Sequence, residues 1–390
     1  MKLYLYFLSI LSCVALFVTD VSGQGCVAVR NMASPCGVTF DSMRTSNWQL
    51  SANFRYFHSY KHFRGSHEEK ERVENGTEVI NNDHSLTLGA SYRASDRWSF
   101  SVIVPLVYID RSSLYEHKGN NSGERYHTSS RGLGDIRIAT YYSAIPQTER
   151  GNLTVGLGFK LPTGDYEYTD YFHRPEGLEL RPVDQSIQPG DGGFGVTAEV
   201  EFSQRIAHSF YGYFTGFYLI NPRNTNGTLR SPNLTNGIPL SNEMSVTDQF
   251  LTVVGFDQRG QSFWRELGAG VFGQGFVKDA LRKRVLGGRP AGLVVVQAGL
   301  GVRYEGIPVE DLIGDSDGFR RPGYIISVEP SASYMINHKH SIGVNFPIAL
   351  YRNRTQSVVD RQRTEITGQY SHGDAAFADW LLSVYYVMNF

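Results

Sequence analysis

The 390-residue sequence balances 37 Lys and Arg against 38 Asp and Glu, which leaves no basic surface and excludes a nucleic-acid partner. Beyond the first segment no apolar run approaches the ~20 residues of a membrane-spanning helix, so helical membrane proteins are excluded and β-barrels are not. An aromatic content of 13% and 41 glycines suit a membrane barrel.

The chain begins MKLYLYFLSILSCVALFVTDVSG. The early Lys2, an apolar run and then Val21, Ser22 and Gly23 read as a secretory signal peptide over 1–23, cleaved near Gly23. Cys13 sits inside that run and leaves with it. Cys26 and Cys36 stay behind in CVAVRNMASPC, where an oxidising compartment lets them pair and close a small loop. Residues 24–45 read as an N-terminal periplasmic segment or small plug. The disulfide either staples that plug or protects a frayed end.

The barrel is predicted over 46–390. In NWQLSANFRYFHSY the even positions are Trp48, Leu50, Ala52, Phe54 and Tyr56, while the odd ones are Asn47, Gln49, Ser51, Asn53 and Arg55. This is apolar-out, polar-in alternation over roughly the 9–11 residues of a tilted membrane strand. It recurs around Leu86 to Tyr92 and in WSFSVIVPLVYI, DIRIATYYSA, LTVGLGFKL, GVTAEVEFSQ and FYGYFTGFYLI, then in TDQFLTVVGF, LVVVQAGLGVRY, YIISVEPSASYMI and SIGVNFPIALY. Aromatics gather at strand ends, as at a membrane interface. Short turns at RASDR, AIPQTERG, SQRIAHS and INHKHS alternate with long polar loops at roughly 61–83, 110–133, 162–193, 221–246, 305–322 and 352–374. Short periplasmic turns and long extracellular loops predict an all-β fold, a transmembrane antiparallel up-and-down β-barrel of about 12 strands. Region 258–290 is read as a periplasmic excursion in which VKDALRKRVLGG forms a short helix ended at Gly287. If SFWRELGAGVFGQGF formed a hairpin instead, the count would be about 14.

The chain ends WLLSVYYVMNF. Its even positions are wholly apolar, which suits a strand facing lipid with both edges paired. This stretch resembles the C-terminal signal of bacterial outer-membrane barrels, which assigns Trp380, Tyr386 and Phe390 to assembly. The resemblance implies the bacterial outer membrane as location, with membrane lipid and the barrel-assembly machinery as partners.

Inward positions supply the lumen-facing candidates Arg55, Asp135, Arg137, Lys160, Glu199, Glu201, Arg303 and Glu329. Mixed charge in a small barrel either fills the lumen as a structural network or tunes a narrow water path. The loop EGIPVEDLIGDSDGFRRPG at 305–323 supplies gate candidates, because Arg320 and Arg321 can pair with Glu305, Glu310 or Asp311 and hold it folded into the mouth.

Two segments place Gly and Asp at the loop ends of strands: RGLGDIRIATYY, and then GFKLPTGD. Gly132, Gly134, Asp135 and Arg137, followed by Lys160, Leu161, Pro162, Thr163, Gly164 and Asp165, resemble the outer-membrane family named for the meta-pathway of phenol degradation. That resemblance implies a channel or transporter admitting small hydrophobic or aromatic compounds, by analogy with long-chain fatty-acid channels. The latter carry a longer N-terminal hatch than the roughly twenty residues available here.

Other functions find less support in the residues. A barrel phospholipase needs a His two residues before a Ser nucleophile and an Asn to orient it. His127-Thr128-Ser129 falls in a predicted loop with no Asn in the next strand, so the protein is read as non-enzymatic. His58, His62 and His67 with Glu68 and Glu69, and His338 with His340, straddle strand ends and polar loops where histidine is ordinary. No metal and no cofactor are assigned. A surface-exposed binding or structural barrel is the alternative, through Asn-rich loops such as NTNGTLRSPNLTNGIPLSN.

Overall fold

Strands that are apolar on one face and polar on the other can share one wall only if every edge is paired. Among the residues described by the computed structural model (47–117, 123–148, 150–231, 237–259, 294–336 and 339–390), twelve barrel strands achieve this. They are β1 (Trp48–Arg64), β2 (Ile80–Arg93), β3 (Trp98–Ser113), β4 (Tyr126–Leu133 and Arg137–Thr148), β5 (Gly151–Lys160) and β6 (Gly195–Ala207). There follow β7 (Phe210–Ile220), β8 (Gln249–Arg259), β9 (Val294–Ile307), β10 (Gly323–Ile336), β11 (His340–Asn345 and Ile348–Asn353) and β12 (Ala375–Asn389). All neighbours are antiparallel, and β12 returns to β1 in the register Leu50↔Met388, Phe54↔Val384 and Phe63↔Ala375, which closes the barrel. Residues 1–46, with the expected signal peptide, plug, Cys26 and Cys36, lie outside the described residues.

Both split strands lie opposite proline. Pro105 of β3 has no N–H to give β4, and there the ladder breaks at 134–136, with only the Gly134 N–H reaching the Pro105 carbonyl at 2.8 Å. In β11 the break falls at Phe346-Pro347, where the Phe346 N–H reaches the Pro330 carbonyl of β10 at 3.0 Å. The wall is therefore thinned at two defined places.

The outward face is the apolar belt read from the sequence. Trp48 is 51% exposed, Leu50 41% and Phe54 40%, a pattern that only lipid makes favourable. Aromatic contacts mark both rims: Trp48 with Tyr92 and Trp98 with Tyr142, each at 4.9 Å, on the short-turn side, and Tyr304 with Tyr324 at 5.4 Å and Tyr324 with Tyr351 at 5.8 Å on the loop side. The wall is that of a membrane-spanning β-barrel.

The expected count of about twelve strands holds, and other expectations change. β8 pairs directly with β9, Arg259 opposite Gln297, so the wall has twelve strands and not fourteen. Gln258 and Arg259 belong to β8; the rest of the expected excursion lies outside the described residues. Tyr126–Leu133, expected within a loop, is strand and pairs with Leu106–Ser113. Beyond the outer aromatic rim a strand no longer faces lipid, so its apolar alternation vanishes while its backbone pairing continues. For the same reason β1 runs on to Arg64.

The long connections fold into a layer over the mouth. It holds helix α1 (Lys70–Glu74), the hairpin Thr169–Arg174 with Gly177–Pro182, the pair Thr225–Leu229 with Glu243–Ser245, and helix α2 (Val358–Thr367). In α2, Ser357 and Asp360 form a reciprocal capping box, and Gly368 ends the helix at φ 65°.

Candidate functional site: lumen, seam and vestibule

The inward strand positions meet in charged networks. On β1, Arg55 lies 3.8 Å from Asp83 of β2 and 5.6 Å from the Phe57 ring. On β4, Arg137 is paired with Glu199 of β6 at 2.9 Å, the Tyr141 hydroxyl donates to the same carboxylate at 3.1 Å, and the guanidinium rests 5.2 Å from the Phe217 ring. Glu201 follows two residues later, opposite Thr154 and Thr215. On β9, Arg303 donates twice to Glu305, at 2.8 and 2.9 Å, and once to Glu329 at 3.1 Å. Glu305 thus belongs to a lumen network on a strand, not to the loop in which it was expected. Each arginine has a carboxylate beside it, as charge removed from water requires. Beside the Arg137–Glu199 pair, Tyr213, Phe217 and Leu219 of β7 and Leu251 and Val253 of β8 form one buried apolar cluster.

The two motif segments meet where β4 breaks. Asp135 accepts from the Gly164 N–H at 3.0 Å and the Asp191 N–H at 3.2 Å, while Thr163 accepts from the Ile136 N–H at 2.8 Å and donates to the Gly134 carbonyl at 2.9 Å. Lys160, fully buried, hydrogen-bonds Asp191 and lies 3.6 Å from Asp135. Gly164 and Gly190 cross so closely that a Cβ on Gly164 would stand 2.7 Å from the Gly190 Cα. Asp135 and Lys160 are therefore seam residues that stitch the interrupted strand to the 161–194 loop. A glycine pair is required because any side chain would separate the two backbones.

The loop layer lines a half-open vestibule of about 990 Å³. Its floor is pinned by the loop after β9. Arg320, 1% exposed, grips Asp311 of its own loop at 2.9 and 2.5 Å and reaches the Ser245 hydroxyl at 2.7 Å. Asp311 in turn accepts from the Asp248 N–H at 2.8 Å. Arg321 leaves its loop altogether and binds Asp184 at 2.8 and 2.6 Å. Burial pushes the Asp184 carboxyl up, but Arg111 and Arg321 outweigh it and hold it well below the usual carboxylate range. Glu310 pairs with Arg361 of α2 at 2.9 Å, in solvent. Of the expected gate pairings, Arg320 with Asp311 is present; Arg321 and Glu305 have other partners. Arg321 lines the vestibule and also a second cavity, of about 70 Å³, between Asp135, Gln249 and Ile307 at the lumen mouth.

The remaining candidates are dispersed. Trp380 and Tyr386 on β12, and Phe390 just after it, are exposed on the outer face, and the Phe390 N–H donates to the Trp48 carbonyl at 3.2 Å, the final rung of closure. His127 and Ser129 lie on β4, not in a loop; His127 pairs with Asp110 at 2.9 Å and the Ser129 N–H donates to Asp170 at 2.7 Å. His62 accepts from the Val79 N–H at 2.8 Å through Nε2, so its Nδ1 carries the proton that Asp374 accepts at 2.6 Å. Asp184, Asp191 and Tyr141 were missed by sequence reasoning. Arg321 and Asp184 are 137 residues apart, and nothing local in either segment marks the pairing.

No family model matches the chain. Among solved structures, an outer-membrane channel from Pseudomonas putida F1 is similar with a TM-score of 0.50 and 12% identity over 93% of this chain and 99% of that one. The toluene transporter TodX of Pseudomonas putida gives 0.40 and 10% over 96% and 100%. The β-domain of the Bordetella autotransporter BrkA gives 0.44 and 10% over 88% and 100%. The first of these likenesses agrees with the fold reached from strand pairing, that of an outer-membrane barrel.

Proposed function

We propose that this barrel is a gated outer-membrane channel for small hydrophobic or aromatic compounds, in keeping with its resemblance to the meta-pathway family. One observation carries the reading: the Arg321–Asp184 pair stands between a vestibule of molecular size and a small cavity above a lumen filled with ion pairs. A general pore would keep a continuous water path. Here a solute must first enter a chamber whose walls include Phe172, Leu178, Met244, Phe319 and Val359, and a latch must then open. The chamber sets these apolar side chains among many charged ones, and its size suits a compound of one or two rings. The neighbours named above as a channel and a toluene transporter are compatible with this role. Catalysis has no part in it.

The test is planar-bilayer conductance and uptake by the full-length protein and by Arg321→Ala and Asp184→Asn. The parent is expected to be nearly silent to ions yet to take up a labelled neutral aromatic, benzyl alcohol. Each variant should raise ion current several-fold. Steady large current in the parent, or uptake no faster than in vesicles without protein, overturns the proposal and favours the surface-binding barrel.

A further inference from the structure

The vestibule carries more positive charge than its own carboxylates neutralise. Eight arginines line it, Arg181, Arg230 and Arg321 among them, against six carboxylates, Glu116, Glu176, Glu179, Asp184, Asp360 and Asp374. Five of these carboxylates are engaged: Glu116 by Arg111 at 2.5 Å, Glu179 by Arg174 at 2.7 Å, Asp184 by Arg321 at 2.6 Å, Asp360 by Arg354 at 3.2 Å and Asp374 by Arg72 at 2.5 Å. Arg181 and Arg230 have no carboxylate partner among the described residues. Each lies over an aromatic ring instead, Arg181 at 4.4 Å from the Phe172 centroid and Arg230 at 3.5 Å from that of Phe319, which Arg321 also approaches at 4.9 Å. Arg181 is further fixed by donating to the Arg230 carbonyl at 2.8 Å, which makes the two residues neighbours in the vestibule lining.

Cation–π contact orients a guanidinium but does not neutralise it, and it leaves the in-plane N–H groups free to meet an acceptor. The electrostatics agree: burial, then Arg321, pushes Arg230 down to about 10, and burial, then Arg174, lowers Arg181. Both groups therefore sit where an added negative charge is favoured. The rings beneath them offer apolar contact next to that charge.

We infer that Arg181 and Arg230 form an oxyanion subsite of the vestibule, which selects organic carboxylates carrying an aromatic or compact apolar body. The carboxylate takes the in-plane N–H groups of the two guanidiniums, and its ring lies against Phe172 or Phe319. This rests on the reading of the vestibule as the entry chamber and narrows the compounds that enter: aromatic acids are held, whereas neutral aromatics pass without this contact.

Calorimetric titration of the full-length protein in detergent with sodium benzoate, benzyl alcohol and inorganic phosphate tests it, alongside uptake of labelled benzyl alcohol. Benzoate is expected to bind at least tenfold more tightly than benzyl alcohol, more weakly as salt is raised. Arg181→Gln with Arg230→Gln should lose at least tenfold of benzoate affinity and leave benzyl alcohol unchanged, and Arg230→Lys should retain part of it. Heat-modifiability on gels confirms that each variant is folded. Equal binding of benzoate and benzyl alcohol, or unchanged benzoate binding by the folded double variant, overturns the subsite. Phosphate binding as tightly as benzoate overturns the carboxylate assignment. Absent benzoate binding with benzyl alcohol uptake intact overturns this inference alone; loss of uptake as well overturns the channel reading too.

Discussion

The lumen and the vestibule are both rich in arginine, yet Arg181 and Arg230 of the vestibule are held differently from Arg137 and Arg303 of the lumen. In the lumen Arg137 is ion-paired to Glu199, and Arg303 is locked to Glu305 and Glu329 by ion pairs and hydrogen bonds. In the vestibule Arg181 and Arg230 rest on rings. A paired buried charge fills space and rigidifies the wall, because releasing it would leave its partner unpaired in a low dielectric. A charge oriented by a ring has no partner to lose and remains available to a ligand. The difference separates residues that hold the barrel together from residues that act on what enters it.

The largest effect concerns the wall common to both regions. Deleting Phe390 removes the last rung between β12 and β1, and we expect nearly complete loss of heat-modifiable barrel from the outer membrane, read on unheated gels. Normal assembly of the truncated chain would dissociate the terminal strand from the assembly role assigned to it.

Next comes the lumen. Arg303→Ala strands Glu305 and Glu329 without their cation and should destabilise the barrel by about 3–5 kcal/mol in urea unfolding from lipid vesicles. A change below about 1 kcal/mol would show that water already neutralises the lumen, and the contrast with the vestibule would collapse.

A smaller effect tests the loop layer by pH. His117, 1% exposed, accepts from the His173 N–H at 3.0 Å through Nδ1, and burial lowers it from 6.5 to about 4. The folded layer then binds fewer protons than the unfolded one between about pH 4 and 6.5, so its stability rises with pH across that window and falls on acidification. Hydrogen exchange at 169–182 should quicken as pH drops from about 6.5 toward 4, after correction for the intrinsic rate, and His117→Phe should flatten the response. A parent that is equally flat would sink the assignment.

The smallest expected change is the stability of Arg230→Gln. With no carboxylate left behind, it should unfold within about 0.5 kcal/mol of the parent. A loss as large as that of Arg303→Ala would mean that Arg230 is structural after all.

Much of the wall was legible because lipid imposes a two-residue period on every strand that touches it. Leu50, Phe54, Val102 and Tyr386 announced their outward face one strand at a time, and the alternation of short and long connections ordered the strands. Legibility stopped at the outer rim. Tyr126–Leu133 pairs like any strand but carries no apolar stripe, so it looked like loop. Gly134, Asp135, Gly164 and Asp165 could be singled out as unusual, but their common purpose as a seam became visible only once β4 and β5 were side by side. The lumen charges were identifiable as inward residues, whereas their pairing was not, since Arg303 takes Glu305 from its own strand and Arg137 takes Glu199 from another.

By itself, then, the sequence determined the barrel, its approximate strand number and which face of each strand meets the membrane, because those depend on local periodicity against a solvent that admits no unpaired polar group. The tertiary structure alone decided which arginines are neutralised. Whether a guanidinium meets Asp184, Glu305 or the ring of Phe319 depends on loops that converge from distant parts of the chain, and electrostatic interaction is set by distance in space rather than by separation in sequence.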